Sequence, residues 1–288
     1  MFTYDYNSKS DSGTQHVIMY TSSDDNIVTP SYTNVFGANI INNVYIDGVG
    51  YLTFDGPVTT IGDYAFLSTS LTSITIPDSV TSIGSCAFEE CDSLTIITIP
   101  ASVASIGNSA FEGCTGLTSI TIPEGVTSIS GYAFYECESL ESIIIPNSVT
   151  SIGEHAFGYC YNLTSINIPD SVISIGEWAF DSCESLTSVT IPDSVTTIGN
   201  LAFAYCYSLT SVTIGNSVTE IGNSAFLYCS SLTSVYCKAT RPPALGGSSV
   251  FDSNGGGRMI YVPASSVNRY RNATNWSEYK PYIIGYNF

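Results

Sequence analysis

Positive charge is scarce in this chain. Seven Lys and Arg stand against 25 Asp and Glu across 288 residues, a formal net charge of −18. Neutralising phosphates requires Lys and Arg, so the balance excludes a nucleic-acid partner. The same deficit opposes adsorption to an anionic membrane. Between residues 49 and 236 there are 18 acids and no Lys or Arg. That stretch cannot rely on internal salt bridges, so apolar burial and backbone hydrogen bonding must hold it. No apolar run approaches the roughly 20 residues of a membrane helix, so no membrane insertion is expected. Met1–Tyr20 lacks the basic start and apolar stretch of a secretory signal, so no export signal is expected in this chain. Histidine is limited to His16 and His155, and no G-x-S-x-G elbow occurs, which leaves catalysis almost without candidate residues.

What the chain has is repetition. Leu recurs at 71, 94, 117, 140, 163, 186, 209 and 232, always 23 apart, and Phe keeps the same step from 88 to 226. Cys does so at Cys91, Cys114, Cys137, Cys160, Cys183, Cys206 and Cys229. The unit reads L-T-S-I-T-I-P-D-S-V-T-S-I-G-x-x-A-F-x-x-C-x-S, and an earlier copy, Val49 to Ser70, is one residue short and has no Cys.

Each part of the unit has a physical reading. L-T-S-I-T-I alternates and is β-rich, so it predicts a strand with Leu71, Ile74 and Ile76 inward and Ser73 and Thr75 outward. Pro77 ends it, having no N–H to give a neighbour. V-T-S-I-G returns the chain, with Val80 and Ile83 inward and Gly84 at a tight corner. Ser130 departs from that Gly column, and Gly131 after it could take the turn. A-F-x-x-C predicts a short helical turn. One unit cannot bury its own apolar face, but stacked units can. The expected fold is therefore a mainly-β repeat solenoid, a right-handed array with a parallel sheet and short helical turns, closed by caps. Residues 1–48 and 237–288 are read as the caps and 49–236 as the solenoid. In the second cap, Met259–Val262 and Tyr282–Tyr286 read as strands, and 267–279 as helical.

The seven-Cys column is read as structural. No C-x-x-C cluster suggests a metal, and in-register stacking keeps Cβ vectors parallel, which suits disulfides poorly. Buried thiols acting as small hydrophobes remain. Cys86 and Cys237 lie too far apart along the array to pair. Acids cluster near the Cys turn at Glu89, Glu90, Asp92, Glu112, Glu136, Glu138, Asp181 and Glu184. They could share Ca²⁺, but they match no loop motif and read better as a solvated edge. No catalytic residue, metal site or cofactor is expected.

Aromatics near the Cys turn, Tyr135 among them, fill positions that neither core nor turn requires. Tyr159, Tyr161, Tyr205, Tyr207 and Tyr228, with Trp178 in the column of His155, are the candidate partner-binding residues, since Tyr gives rigid amphipathic contact area. The alternative reading is surface Tyr covering the Phe and Cys columns. The 159/161 and 205/207 pairs should lie about 10 Å apart at the usual strand spacing.

The unit resembles the BspA-like leucine-rich-repeat family over residues 49–236. The flanks, including Val35-Phe-Gly-Ala-Asn-Ile, Tyr236-Cys-Lys-Ala-Thr and Ile260-Tyr-Val-Pro, resemble the end segments of such proteins from anaerobic gut bacteria. The resemblance implies a curved solenoid displayed at the cell surface or secreted. It implies a non-catalytic adhesion module whose partner is an extracellular matrix or host surface protein. A glycan-binding surface or a structural spacer is the alternative. The family offers no active-site residue to carry over.

Overall fold

The structure, a computed structural model, describes residues 16–288. Residues 1–15, the start of the expected first cap and of the stretch read for an export signal, lie outside the described residues. The 23-residue step sets everything else. It produces a mainly-β solenoid of about 10 turns. Every inward residue of one coil falls on its counterpart in the next, so Leu71, Leu94, Leu117, Leu140, Leu163, Leu186, Leu209 and Leu232 are all fully buried. Phe rings run unbroken along the axis from Phe66 to Phe251, with centroids 4.9–5.5 Å apart and planes within 14°.

Two parallel ladders flank this core. On the strand side, Leu71–Thr75, Ile96–Thr98, Ser119–Thr121 and Ser142–Ile144 pair in order. A second group comprises Ser188–Ile191, Ser211–Ile214, Ser234–Cys237 and Met259–Pro263. The expected single sheet is thus divided, because the Leu163 coil carries no strand on this side. Its outward position holds Asn167, a residue type depleted in strands. The ladder therefore lapses while Ile166 and Ile168 stay buried.

On the return side, two-residue strands pair from Thr60–Ile61 to Ser105–Ile106, and again from Ser128–Ile129 to Ala244–Leu245. The break falls at Ser130. Elsewhere the corner Gly presses on the preceding coil: a Cβ on Gly176 would lie 2.6 Å from the Gly153 carbonyl carbon. Ser130 carries a Cβ, and its hydroxyl donates to the Ile106 carbonyl at 2.6 Å. At Gly107 the backbone N–H makes the corresponding bond, to Ile83.

The A-F-x-x-C corner is not helical, which corrects the sequence reading. It is a run of turns with two left-handed residues, such as Cys86 (φ 55°) and Glu90 (φ 57°). The reason lies in the hydrogen bonds. Alternate corner N–H groups donate out of their coil into the next one: Cys86 to Asn108, Phe88 to Ala110 and Glu90 to Glu112, at 2.7–2.9 Å. A helix would use those N–H groups within the turn.

The ends are closed by different means. At the first end, Val17–Ser22 inserts antiparallel between Val49–Phe54 and Leu71–Thr75, and Ile40–Ile46 completes a hairpin. The strand of the short copy at Val49 therefore stands outside the parallel ladder. At the other end the coil continues beyond residue 237, since Phe251 stacks on Phe226 and Met259–Pro263 on Ser234–Cys237. A 3-10 turn (Ala264–Ser266), a short α-helix (Val267–Arg271) and a 3-10 helix (Trp276–Tyr282) then cover it. Trp276 and Tyr270 are fully buried and donate to the carbonyls of Pro243 and Ala239. Ile283–Tyr286 forms the outermost strand.

Candidate interaction site at the aromatic edge

Left-handed corner positions carry most of the candidate side chains. Trp178 (φ 56°) takes the first, and Tyr159, Tyr205 and Tyr228 (φ 58–59°) take the second. Glu90, Gly113 and Ser182 hold the same torsion in their coils. The torsion therefore belongs to the coil, and the ring is what varies.

The rings form two groups. Tyr132, His155 and Trp178 stack in one column, with centroids 4.7 and 5.5 Å apart. Tyr135 meets Tyr132, His155 and Tyr159 edge-on at 5.3–5.5 Å, and Tyr159 meets Tyr161 at 5.9 Å. Further along, Tyr205 contacts Tyr207 at 6.3 Å and stacks on Tyr228 at 5.3 Å. Tyr207 and Tyr228 are exposed, at 42% and 46%, while Tyr159, Tyr161, Tyr205 and Trp178 are half-buried. The list of candidates omitted Tyr132, Tyr135 and His155, which join the first group through contact: His155 stacks on Trp178, Tyr135 meets Tyr159, and Tyr132 meets both His155 and Tyr135.

The electrostatics are uniformly acidic. Burial first, then the charges of Glu138 and Glu184, raise the Tyr161 hydroxyl above its ordinary pKa. Burial followed by Glu136 pushes Tyr135 up to about 12. His155 is held below its usual value by burial, opposed by Glu154 and Glu177, and its Nδ1 has no partner. Asp181 lies among these groups, 2% exposed.

The cysteines do not take part. All seven of the column are free, fully buried, and donate from Sγ to a Phe carbonyl of the preceding coil, as Cys160 does to Phe134. Burial lifts the Cys86 thiol to about 12. Among the described residues, no three His, Cys, Asp or Glu side chains gather closely enough to hold a metal ion. No helix among them is long and apolar enough to cross a membrane. A separate shallow depression of about 500 Å³ opens on the strand face where the Leu163 strand lapses, lined by Ser165, Asn167, Asp170, Thr190, Asp193 and Lys238.

These coils match the BspA type leucine-rich repeat region in six copies, over residues 45–164 and 150–265. The chain belongs to that family. No curated protein matches it. Among solved structures, it is similar to a leucine-rich repeat protein of T. pallidum, with 34% identity and a TM-score of 0.53 over 56% of this chain and 78% of that one. A leucine-rich repeat protein from Bacteroides ovatus shares 29% identity over 78% of this chain and 70% of its own, with a TM-score of 0.46. A leucine rich cell surface protein from Faecalibacterium prausnitzii shares 26% identity over 86% of this chain and 90% of its own, with a TM-score of 0.31.

Proposed function

We propose that this chain is a non-catalytic binding module, displayed at a cell surface or secreted, that docks a host or matrix protein on its aromatic edge. One observation carries the reading: two ring groups, with exposed members, are fixed on a stack that has no Lys or Arg from 49 to 236. Acids would steer a basic partner and raise its on-rate at low salt. The rings would supply short-range energy concentrated in a few positions. The test is a variant with Tyr159, Tyr161, Tyr205 and Tyr207 all replaced by Ser, measured against a panel of matrix proteins. Ser68 and Ser182 already hold the corner torsion of Tyr159 and Tyr205, so the fold should tolerate it. Saturable binding to the wild type and its loss in the variant support the reading; unchanged binding ends it.

The strand-face depression favours a second reading, a glycan site, because its lining is polar and includes hydroxyls, an amide and two carboxylates. A glycan array with Thr190→Ala separates the two. The protein-docking reading requires that Thr190→Ala leave partner binding unaltered.

A further inference from the structure

One polar group in the aromatic edge has unmet needs. Asp181 Oδ1 is buried with no hydrogen-bond partner, and Oδ2 receives only the Ser182 hydroxyl, at 3.3 Å. Burying an uncompensated carboxylate is costly. The surrounding array offers it no cation, since residues 49–236 contain none.

The columns show which residues flank this carboxylate. At the position of Asp181, the 23-residue step reads Tyr135, Gly158, Asp181, Ala204, Leu227. Its neighbours on both sides are the smallest residues available. A Cβ on Gly158 would lie 3.0 Å from the Tyr135 ring, so that ring leans across the Gly. At the next position the step reads Tyr159, Ser182, Tyr205. Ser182 thus interrupts the ring row, with a Tyr on each side, and it is buried together with Asp181, so the gap between the rings is a covered one. After burial, the Asp181 charge is the leading influence on the Tyr159 hydroxyl, and it also reaches that of Tyr207.

We infer that this gap is a receptor for one arginine side chain of the docked protein, whose guanidinium donates to Asp181 Oδ1 and lies against Tyr159 and Tyr205. The inference rests on the reading that a protein docks on this edge. Arginine fits better than lysine because its planar, weakly hydrated guanidinium stacks on aromatic faces while donating to a carboxylate. The net charge of −18 favours its approach. Entry requires the side chains over Asp181 to move outward, since Oδ1 is covered.

The test uses the full chain and a blocked Gly-Ser-Arg-Ser-Gly peptide, compared with the same peptide carrying citrulline in place of arginine. Binding is followed by NMR at the Trp178 indole, because the Asp181 N–H donates to the Trp178 carbonyl at 3.1 Å and holds both in one turn. The arginine peptide should bind saturably and about tenfold or more tightly than the citrulline peptide. Asp181→Asn should abolish that difference. Glu124→Gln, an equal change of charge at the opposite corner of a coil, should preserve it. Discrimination that survives Asp181→Asn, or that falls equally in both variants, overturns the receptor. A melting curve for Asp181→Asn no lower than wild type separates lost recognition from lost folding. A matrix protein that binds Asp181→Asn normally but fails on the four-Tyr variant would sink the arginine receptor and leave the docking edge intact.

Discussion

The thiol of Cys160 donates to the carbonyl oxygen of Phe134, one coil earlier, at 3.2 Å. The same bond recurs in all seven thiols of the column, and the Phe66 carbonyl, which receives Cys91, also accepts the Thr69 hydroxyl of its own coil. Each thiol therefore acts as a donor as well as a small apolar body. Cys160→Ala should cost about 0.5–1.5 kcal/mol, because it removes one of two hydrogen bonds to the Phe134 carbonyl, which keeps the Cys137 N–H at 3.3 Å. Leu163→Ala should cost roughly 2–5 kcal/mol through the cavity it leaves. Chemical denaturation of both variants checks the order, and a silent Cys160→Ala would show that the thiols act by volume alone.

Alkaline pH should weaken the fold through its buried thiols. Burial raises the thiols of Cys91, Cys114, Cys137, Cys160, Cys183 and Cys206 above their ordinary value of 9.0. In the unfolded chain they lose protons near pH 9, while in the fold they keep them. Their stabilisation is therefore complete below pH 9 and declines as pH rises. Each thiol contributes about 1.4 kcal/mol per pH unit to that slope. Unfolding free energies at pH 8, 9 and 10 should fall steeply, and Cys137→Ala should flatten the slope by about one such increment. An unchanged slope would show that the column does not govern it.

Asp181 works in the acid range. Burial, partly opposed by the Ser182 bond, raises its pKa from 3.8 to about 6. A raised carboxyl favours the fold when protonated, so its contribution is complete below 3.8 and lost as pH climbs through about 6. Asp181→Asn cannot ionise. It should match the wild type at pH 4 and exceed it at pH 7.5 by roughly 1–3 kcal/mol. A variant less stable at pH 7.5 would mean that the charge is satisfied.

Close approach, not torsion, dictates the corner glycines. Gly176→Ala would force a Cβ to 2.6 Å from Gly153, whereas Gly131 has its nearest neighbour at 3.4 Å. Gly176→Ala should lose about 1–3 kcal/mol or more, as overpacking does, and Gly131→Ala well under that. Equal melting temperatures would refute the account.

The period made most of this fold readable. Once Leu and Phe fall every 23 residues, their columns, the strand and the return segment follow from alternation alone. The corner did not follow, because left-handed torsions at residues such as Tyr132, Glu136 and Tyr159 carry no local signal of Gly or Asn. They are imposed by N–H groups reaching into the next coil. The extra coil through Phe251 was hidden by altered spacing. Around the candidate site, rings were legible singly, but their grouping through Tyr135 and His155 required contacts between coils. Asp181 read as one more solvated acid, since its burial depends on residues one full step away, Gly158 and Ala204.

The gaps in the two ladders do not coincide. The return ladder lapses beside Ser130, and the strand ladder at the Leu163 coil. Like joints in brickwork, they are staggered, so no cross-section loses both sets of hydrogen bonds, and the Phe rings run through each. Pulled from its ends, such a stack has no preferred plane of fracture. It should yield coil by coil from an end, each release adding about 75 Å of chain, a sawtooth that force spectroscopy would read directly.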